Sequence, residues 1–200
     1  MYLPDHFKVT DQDEIFAFIE VNSFAQVIST VDGRLFSSHI PLLVSADRSK
    51  LIGHFAKANP QWQELEEQEI LVIFQGSHDY VSPSWYNSTG LPPTWNYQAV
   101  HIYGQSKTFH GSEKLKSIVE SLTSKHESFL DKPWQPDYKE VMLRAIVGFE
   151  IDISEIQCKY KLSQNRTKQD QILVAEQLGN RGSVLLSQAM GNTNNDLTDD

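Results

Sequence analysis

The dipeptide Asp32-Gly33 is the tightest local constraint on this chain. It stands between "SFAQVISTV" and "RLFSSHIPLLVS", two runs in which apolar and β-branched residues alternate with polar ones. A two-residue connection that matches the twist of paired strands needs positive φ at both central positions, which Asp-Gly tolerates, so residues 24–45 are predicted to form a β-hairpin. The next segments are read against that pair: "LIGHFA" at 51–56 as a third strand and "EILVIFQG" at 69–76 as a fourth. The fourth run is almost continuously apolar, which requires cover on both faces and places it centrally in a closed or two-layered sheet.

Residues 92–104, "PPTWNYQAVHIYG", pose a different problem. As a strand they set Trp95, Tyr97, Ala99, His101 and Tyr103 on one face and Asn96, Gln98, Val100 and Ile102 on the other. Neither face is cleanly apolar, which suggests a sheet surface that meets a ligand or another subunit. A last strand is expected in "AIVGFEIDISEI" at 145–156. Helices are predicted at 10–22 behind a Thr-x-x-Asp cap and at 61–67 behind Asn59-Pro60. Another is predicted at 112–125, with Ser112 as N-cap and Leu115, Ile118, Val119 and Leu122 at helical spacing. Shorter or later ones are expected at 138–144, at 167–180 between the Thr167 cap and a terminal Gly179, and at 183–190. Six or seven strands in hairpin order, with helices inserted and appended, give an α+β fold built on an antiparallel barrel. Residues 1–190 read as one domain and 191–200, "GNTNNDLTDD", as a disordered acidic tail.

The 200-residue chain carries 17 Lys+Arg against 26 Asp+Glu, a formal net charge of -9. That balance repels polyanions at long range, so nucleic acid or a membrane surface could be met only through a local basic patch. Such a patch exists in "CKYKLSQNRTK" at 158–168, where Lys159, Lys161, Arg166 and Lys168 occur with no Asp or Glu. It could clamp a phosphate through the Arg166 fork and the Ser163 hydroxyl, or simply be solvated. Cys158 is the only cysteine, which excludes an intrachain disulfide framework and fits a reducing cytoplasm. The opening "MYLPDHFKVTDQDE" has no basic stretch before an apolar core, so a cytoplasmic protein without a secretory signal is expected.

In the second strand of the predicted hairpin, Ser37 and His39 share one face and Ser38 shares the other with Ile40. Their hydroxyls could meet a phosphate or a ring carbonyl; the bland alternative is an ordinary polar outer face. In "GHFAKANPQW", His54 precedes Lys57 and the Asn59-Pro60 helix start, and a helix N-terminus beside a lysine is a competent anion site. Alternatively Lys57 is solvated and Asn59 only a cap. Seven histidines, His39, His54 and His101 among them, show no HExxH or His-x-His spacing, so no metal site is expected. Tyr80, Trp85, Tyr86, Trp95, Tyr97 and Tyr103 offer flat faces suited to a planar heterocycle, a subunit interface or a core. No G-x-S-x-G, P-loop or G-x-G-x-x-G is present, which removes the common hydrolase and nucleotide-binding readings.

The segments "MYLPDHF", "SSHIPLL", "GHFAKANPQW", "VIFQGSHDYVSPSWY", "PTWNYQAVHIYG" and "AIVGFEIDISEIQCKYKLSQNR" closely resemble, in order, the PaiB family of FMN-binding negative transcriptional regulators of bacteria. The resemblance covers nearly the whole chain except the acidic tail. It implies an antiparallel split β-barrel like that of the pyridoxamine-phosphate-oxidase superfamily, with flanking and C-terminal helices. It also implies FMN as cofactor and a homodimer that holds the flavin at its subunit interface. The positions implied for FMN are Ser37, Ser38, His39, His54, Lys57 and Asn59, with Trp95 and Asn96 on the later strand. Relatives with this fold carry an Arg-rich phosphate clamp that "SSHIPLL" and "AKAN" lack; Lys161, Ser163 and Arg166, from the same or the partner chain, are its expected replacements. The function so implied is negative transcriptional regulation or flavin-dependent oxidoreductase chemistry. Two alternatives stand beside it. One is a flavin-free repressor that touches DNA through the 158–168 patch and the terminal helices. The other is a haem-handling protein with His39, His54 or His101 as axial ligand.

Overall fold

The computed structural model describes residues 1–195, with side chains for all but Glu67 and 192–195. A two-residue strand β1 (Lys8–Val9) and helix α1 (Gln12–Val21) precede the hairpin β2 (Phe24–Val31) and β3 (Arg34–Pro41). After β4 (Leu43–Val44) and β5 (Lys50–Ala56), a 3-10 helix over Pro60–Glu67 leads into β6 (Glu69–Val81). Then follow β7 (Thr94–Phe109), α2 (Ser112–Glu127), α3 (Glu140–Leu143), β8 (Ile146–Lys161), α4 (Lys168–Asn180) and α5 (Val184–Asn195). The strands form one eight-stranded sheet in the order β3-β2-β6-β7-β8-β5-β4, with β1 against β8.

The hairpin forms as its turn residues require. Asp32 and Gly33 adopt φ of 50° and 72°, the positive pair that a tight hairpin turn demands. The register Val27↔Ser38 and Ala25↔Ile40 puts Ala25, Val27, Ser29 and Val31 on the buried side. Phe24, Gln26, Ile28 and Thr30 face the other way, opposite Leu35, Ser37 and His39.

Contacts divide the chain into two units, one of Met1–Ile15, Gln75–Val100 and the residues from Gln157, the other of Phe16–Phe74 and His101–Ile156. In the second unit, β5 pairs with β8 so that Leu51, Gly53 and Phe55 lie opposite Ile151, Phe149 and Val147. Phe55 and Phe149 stack at 4.5 Å, and Leu51, Phe55, Val147, Phe149 and Ile151 are at most 1% exposed. Burying side chains of this size contributes about 1.5–3 kcal/mol each. On the opposite face of this pair, Gly148 lies beside His54 in register. A Cβ at Gly148 would sit 2.2 Å from the Phe109 ring, so only glycine lets that ring lie against the strand. In the first unit, β1 pairs with the end of β8 through Lys8↔Lys159 and Val9↔Cys158. The α4 and α5 helices pack together, with Val174, Leu178 and Leu186 fully buried.

Several sequence expectations change. Segment 61–67 is a 3-10 helix, although Asn59 caps it as expected and accepts from the Gln61 N–H at 3.0 Å. Ser112 is the first helical residue of α2, and Gly111 occupies the cap position without a side-chain bond. Gly179 lies inside α4; Gly182, at φ 93°, takes the left-handed conformation after that helix. The strands at 69–76, 92–104 and 145–156 grow into β6, β7 and β8 of 13, 16 and 16 residues, because polar residues inside a ladder satisfy strand bonding as well as apolar ones do. Helix α5 continues to Asn195, into the segment expected to be a tail; residues 196–200 lie outside the described residues. The mixed strand at 94–104 resolves cleanly: Asn96, Val100, Ile102 and Gly104 are buried, and Trp95, Tyr97, His101 and Tyr103 are not.

Candidate functional site

The polar residues singled out by sequence fall into two groups, one in each unit. In the second unit, β3 presents Ser38 on the same side as the buried Ile40, while Ser37 and His39 point to the exposed side. Asn59 Nδ2 donates to Ser38 Oγ at 2.8 Å, while Asn59 Oδ1 accepts the Gln61 N–H. The loop carrying Lys57 is locked at both ends of that residue: its N–H donates to Ala145 O at 2.8 Å, and its C=O accepts from Trp62 Nε1 at 3.0 Å. Gln61, fully buried, donates to Val27 O and Ser29 Oγ and fastens the 3-10 helix to β2. The result is a rigid corner. Ser38 has its acceptor role taken and a hydroxyl hydrogen still to give, the Asn59 amide is fixed, and the ammonium of Lys57 is exposed.

His54 does not join this corner. It lies on the face of β5 opposite Leu51, Gly53 and Phe55 and lines a cavity of about 450 Å³ with residues of α2 and α3. Its Nδ1 is buried without a hydrogen-bond partner among the described residues, and burial pushes the imidazole below its ordinary pKa. His101 Nδ1 is likewise buried and without a partner among the described residues, and burial lowers its pKa as well. His39 is exposed near the Phe24 ring, 6.1 Å away.

The second group belongs to the first unit. Asn96, fully buried, donates to Ser163 Oγ at 2.9 Å and to Met190 Sδ at 3.4 Å, tying β7 to the segment after β8 and to α5. Ser163 holds φ of 69°. Lys161 Nζ donates to Thr94 Oγ1 and to the Trp95 carbonyl, both at 2.6 Å. Burial lowers the Lys161 pKa, and the charges of Lys159 and Arg166 push it the same way. Lys159 is only 6% exposed. Its ammonium donates to Tyr2 O at 2.9 Å and sits 5.3 to 5.8 Å from the rings of Tyr2, Tyr97 and Phe7. Arg166 lies 5.7 Å over Tyr86. The exposed Trp95 ring stands 6.3 Å from Tyr80 and 6.4 Å from His78, so part of the aromatic series forms one surface.

Sequence reasoning missed two arrangements. Asp170, 1% exposed, accepts from the N–H groups of Asn87 and Ser88 and from Ser88 Oγ. Those bonds, Ser88 Oγ first, hold its carboxyl down at about 2. A Thr-x-x-Asp cap signals only the local partner, so the loop 83 residues away in sequence was not readable from it. The cavity beside His54 was missed too, since Tyr138 read only as the start of a short helix and no local pattern ties it or Trp134 to His54. Cys158 is buried, and that burial pushes its thiol up to about 12. Among the described residues, no helix is long and apolar enough to cross a membrane.

The family model described as "Putative FMN-binding domain" matches residues 1–155. The chain belongs to that family. A Bacillus subtilis relative, protease synthase and sporulation protein PAI 2, is 43% identical over 188 residues, 90% of each chain. This places the protein with the PaiB-type members that its motifs resemble. Among solved structures, the flavocytochrome Anf3 from Azotobacter vinelandii matches with a TM-score of 0.64 at 16% identity, over 80% of this chain and 70% of that one. An FAD and heme binding protein from Mycobacterium smegmatis also reaches 0.64, at 13% identity and 82% and 78% coverage. At such identities these two establish the fold alone: the α+β antiparallel split barrel.

Proposed function

We propose that this member of the FMN-binding domain family binds FMN through the Ser38–Asn59–Lys57 corner and acts as a homodimer in a PaiB-type regulatory or flavin-dependent redox role. The observation that carries the reading is the 2.8 Å bond from Asn59 to Ser38, which joins two stretches that are separate in sequence. The donor set fits a phosphate: a hydroxyl, a carboxamide and an ammonium, with no carboxylate among them. When bound, FMN supplies hydride and single-electron chemistry, while the chain orients its phosphate and shapes its surroundings. Lys161, Ser163 and Arg166 form a second candidate phosphate set, in which Lys161 and Ser163 would have to share hydrogen bonds they already make to Thr94, Trp95 and Asn96. Ser37, His39 and Trp95 are proposed as contacts of the ring system or of the partner chain rather than of the phosphate, while His54, which lines a cavity of its own, is left out of the proposed flavin set.

A dimer is supported by the edge of the sheet. The strand β3 ends the strand order, and on the exposed face of its hairpin Phe24 and Leu35 are 65% and 84% exposed. Apolar side chains on an open edge strand favour pairing with another chain. One domain over residues 1–190 remains the proposed organisation, supported by a family match that spans segments of both units. Direct DNA contact through 158–168 is disfavoured, because Lys159 and Lys161 already spend their ammonium groups on the chain's own carbonyls and rings.

The test is a titration of the purified full chain with FMN, together with an absorption spectrum and mass of any chromophore that co-purifies. Saturable quenching of flavin fluorescence at one FMN per chain, and a dimer by sedimentation, are the expected results. A colourless protein that leaves added FMN fluorescent overturns the flavin assignment; a Soret band would move it to haem.

A further inference from the structure

The cavity beside His54 has a chemistry of its own. Its walls come from the second unit alone: Val119, Leu122 and Thr123 of α2, Leu143 of α3, Ile146 of β8, and the rings of Trp134 and Tyr138. Val119, Leu122 and Leu143 are each at most 6% exposed. The rings of Trp134 and Tyr138 meet edge to face at 5.7 Å, and the Tyr138 hydroxyl is joined to Thr123 Oγ1 at 2.6 Å. The wall is therefore held in place. At about 450 Å³, the cavity falls within the range of small-molecule sites, roughly 300–1,000 Å³.

Charge narrows the occupant. No lysine or arginine is among the lining residues, and the one carboxylate, Glu127, accepts the Trp134 N–H at 2.7 Å. Of the basic residues near these in sequence, Lys125 pairs with Glu20 at 2.5 Å and Arg144 with Glu140 at 2.7 Å. An anionic group would meet a carboxylate and no lysine or arginine, with the exposed His126 as the only other lining group able to carry charge besides His54. Two imidazoles stand against this apolar wall: His126, which is exposed, and His54, whose buried Nδ1 has no hydrogen-bond partner among the described residues. An unpaired buried polar atom is destabilising, so a ligand that pairs with the His54 imidazole is favoured over one that does not.

We propose that this cavity binds an uncharged, ring-containing organic molecule that fills the space between α2 and Trp134 and offers one hydrogen-bonding group to His54. The site is separate from the Ser38–Asn59 corner in its residues and does not rest on the flavin reading. It excludes phosphorylated and carboxylated ligands by charge, and haem by its propionates.

The experiment uses two fluorescent probes with the same ring skeleton, phenylnaphthylamine, which is neutral and has one N–H, and its sulfonated analogue anilinonaphthalene sulfonate. The neutral probe should bind the full chain saturably at one per chain with blue-shifted emission. The sulfonate should bind at least about tenfold more weakly, a difference of about 1.4 kcal/mol. Leu122→Trp should fill the space and abolish neutral-probe binding, and His54→Phe should weaken it. Met142→Lys, at a rim position 49% exposed, should shift the preference toward the sulfonate and, being exposed, tests the idea even if the buried variants do not fold. Equal affinity for the two probes overturns the proposal. So do unsaturable binding at exposed apolar residues outside the cavity, such as Phe129, and an unchanged titration in folded Leu122→Trp.

Discussion

Two polar clusters, one in each unit, use the same residue types to opposite ends. Around Ser38 and Asn59, the amide and hydroxyl are half-buried, and the nearby Lys57 is exposed. Around Asn96 and Ser163, the amide and hydroxyl are 0% and 3% exposed, and Lys159 is only 6% exposed. The second cluster spends its hydrogen bonds inward: Asn96 on Ser163 and Met190, Lys161 on Thr94 and Trp95, Lys159 on Tyr2. The first spends one amide hydrogen on Ser38 and one acceptor on a helix start, leaving donors for something else. A serine, an asparagine and a lysine are thus a binding corner or a structural bolt according to whether their remaining donors reach solvent.

The largest effect that could break this contrast is expected at Asn96. Replacing it with alanine strands the Ser163 hydroxyl in the interior and opens space against Met190, which should lower unfolding free energy by about 2–3 kcal/mol. FMN affinity, measured on the folded fraction, should stay unchanged. A drop in affinity with little loss of stability would make Asn96 a ligand residue and dissolve the distinction.

Asp170→Asn should cost less, because an amide oxygen still accepts from the N–H groups of Asn87 and Ser88 while the charge is lost. Its pH dependence is the sharper readout. The folded carboxyl is held at about 2, below the ordinary 3.8, chiefly by the Ser88 hydroxyl. The unfolded chain therefore binds the proton more readily, and the charged form's stabilisation is complete above 3.8 and lost as pH falls through about 2. Wild type and variant should differ in urea midpoint at neutral pH and converge across that acid window. A constant gap would show that the charge itself contributes nothing.

How much of this was legible follows from what each signal reports. The hairpin was readable because Asp32-Gly33 encodes its own φ values, and the Thr167 and Asn59 caps were readable because their partners lie two or three residues away. The β6, β7 and β8 termini were not, since strand length depends on a neighbour's backbone rather than on local apolar content. The corner was half readable. Ser38 and Asn59 could each be named from sequence, but their bond spans 21 residues, and only the fold brings them together. The role of Lys159 was not readable at all, because a basic run looks solvated until Tyr2, Phe7 and Tyr97 are seen around it.

Asn59→Ala acts on the exposed cluster at two levels. It removes a helix cap, which should cost about 1 kcal/mol of stability. It also frees Ser38 to rotate, which should weaken FMN about tenfold if that corner holds the phosphate. Ser38→Ala separates the two effects, since it leaves the cap to Gln61 intact and should lower affinity with less change in stability. If neither variant alters FMN binding while Lys161→Ala does, the phosphate belongs to the other unit.

The smallest effect is expected at Lys57. Its backbone is fixed by Ala145 and Trp62, and its side chain is exposed, so Lys57→Gln should leave stability within about 0.5 kcal/mol. A charge in solvent attracts a phosphate through a high dielectric, and the loss of FMN affinity should be only about threefold at low ionic strength. Screening should then erase the difference between wild type and variant as salt approaches about 1 M, where the Debye length is about 3 Å. A salt-independent loss would mean that the ammonium bonds the phosphate directly in a water-poor pocket. In that case the corner would resemble the buried cluster more closely than its exposure suggests.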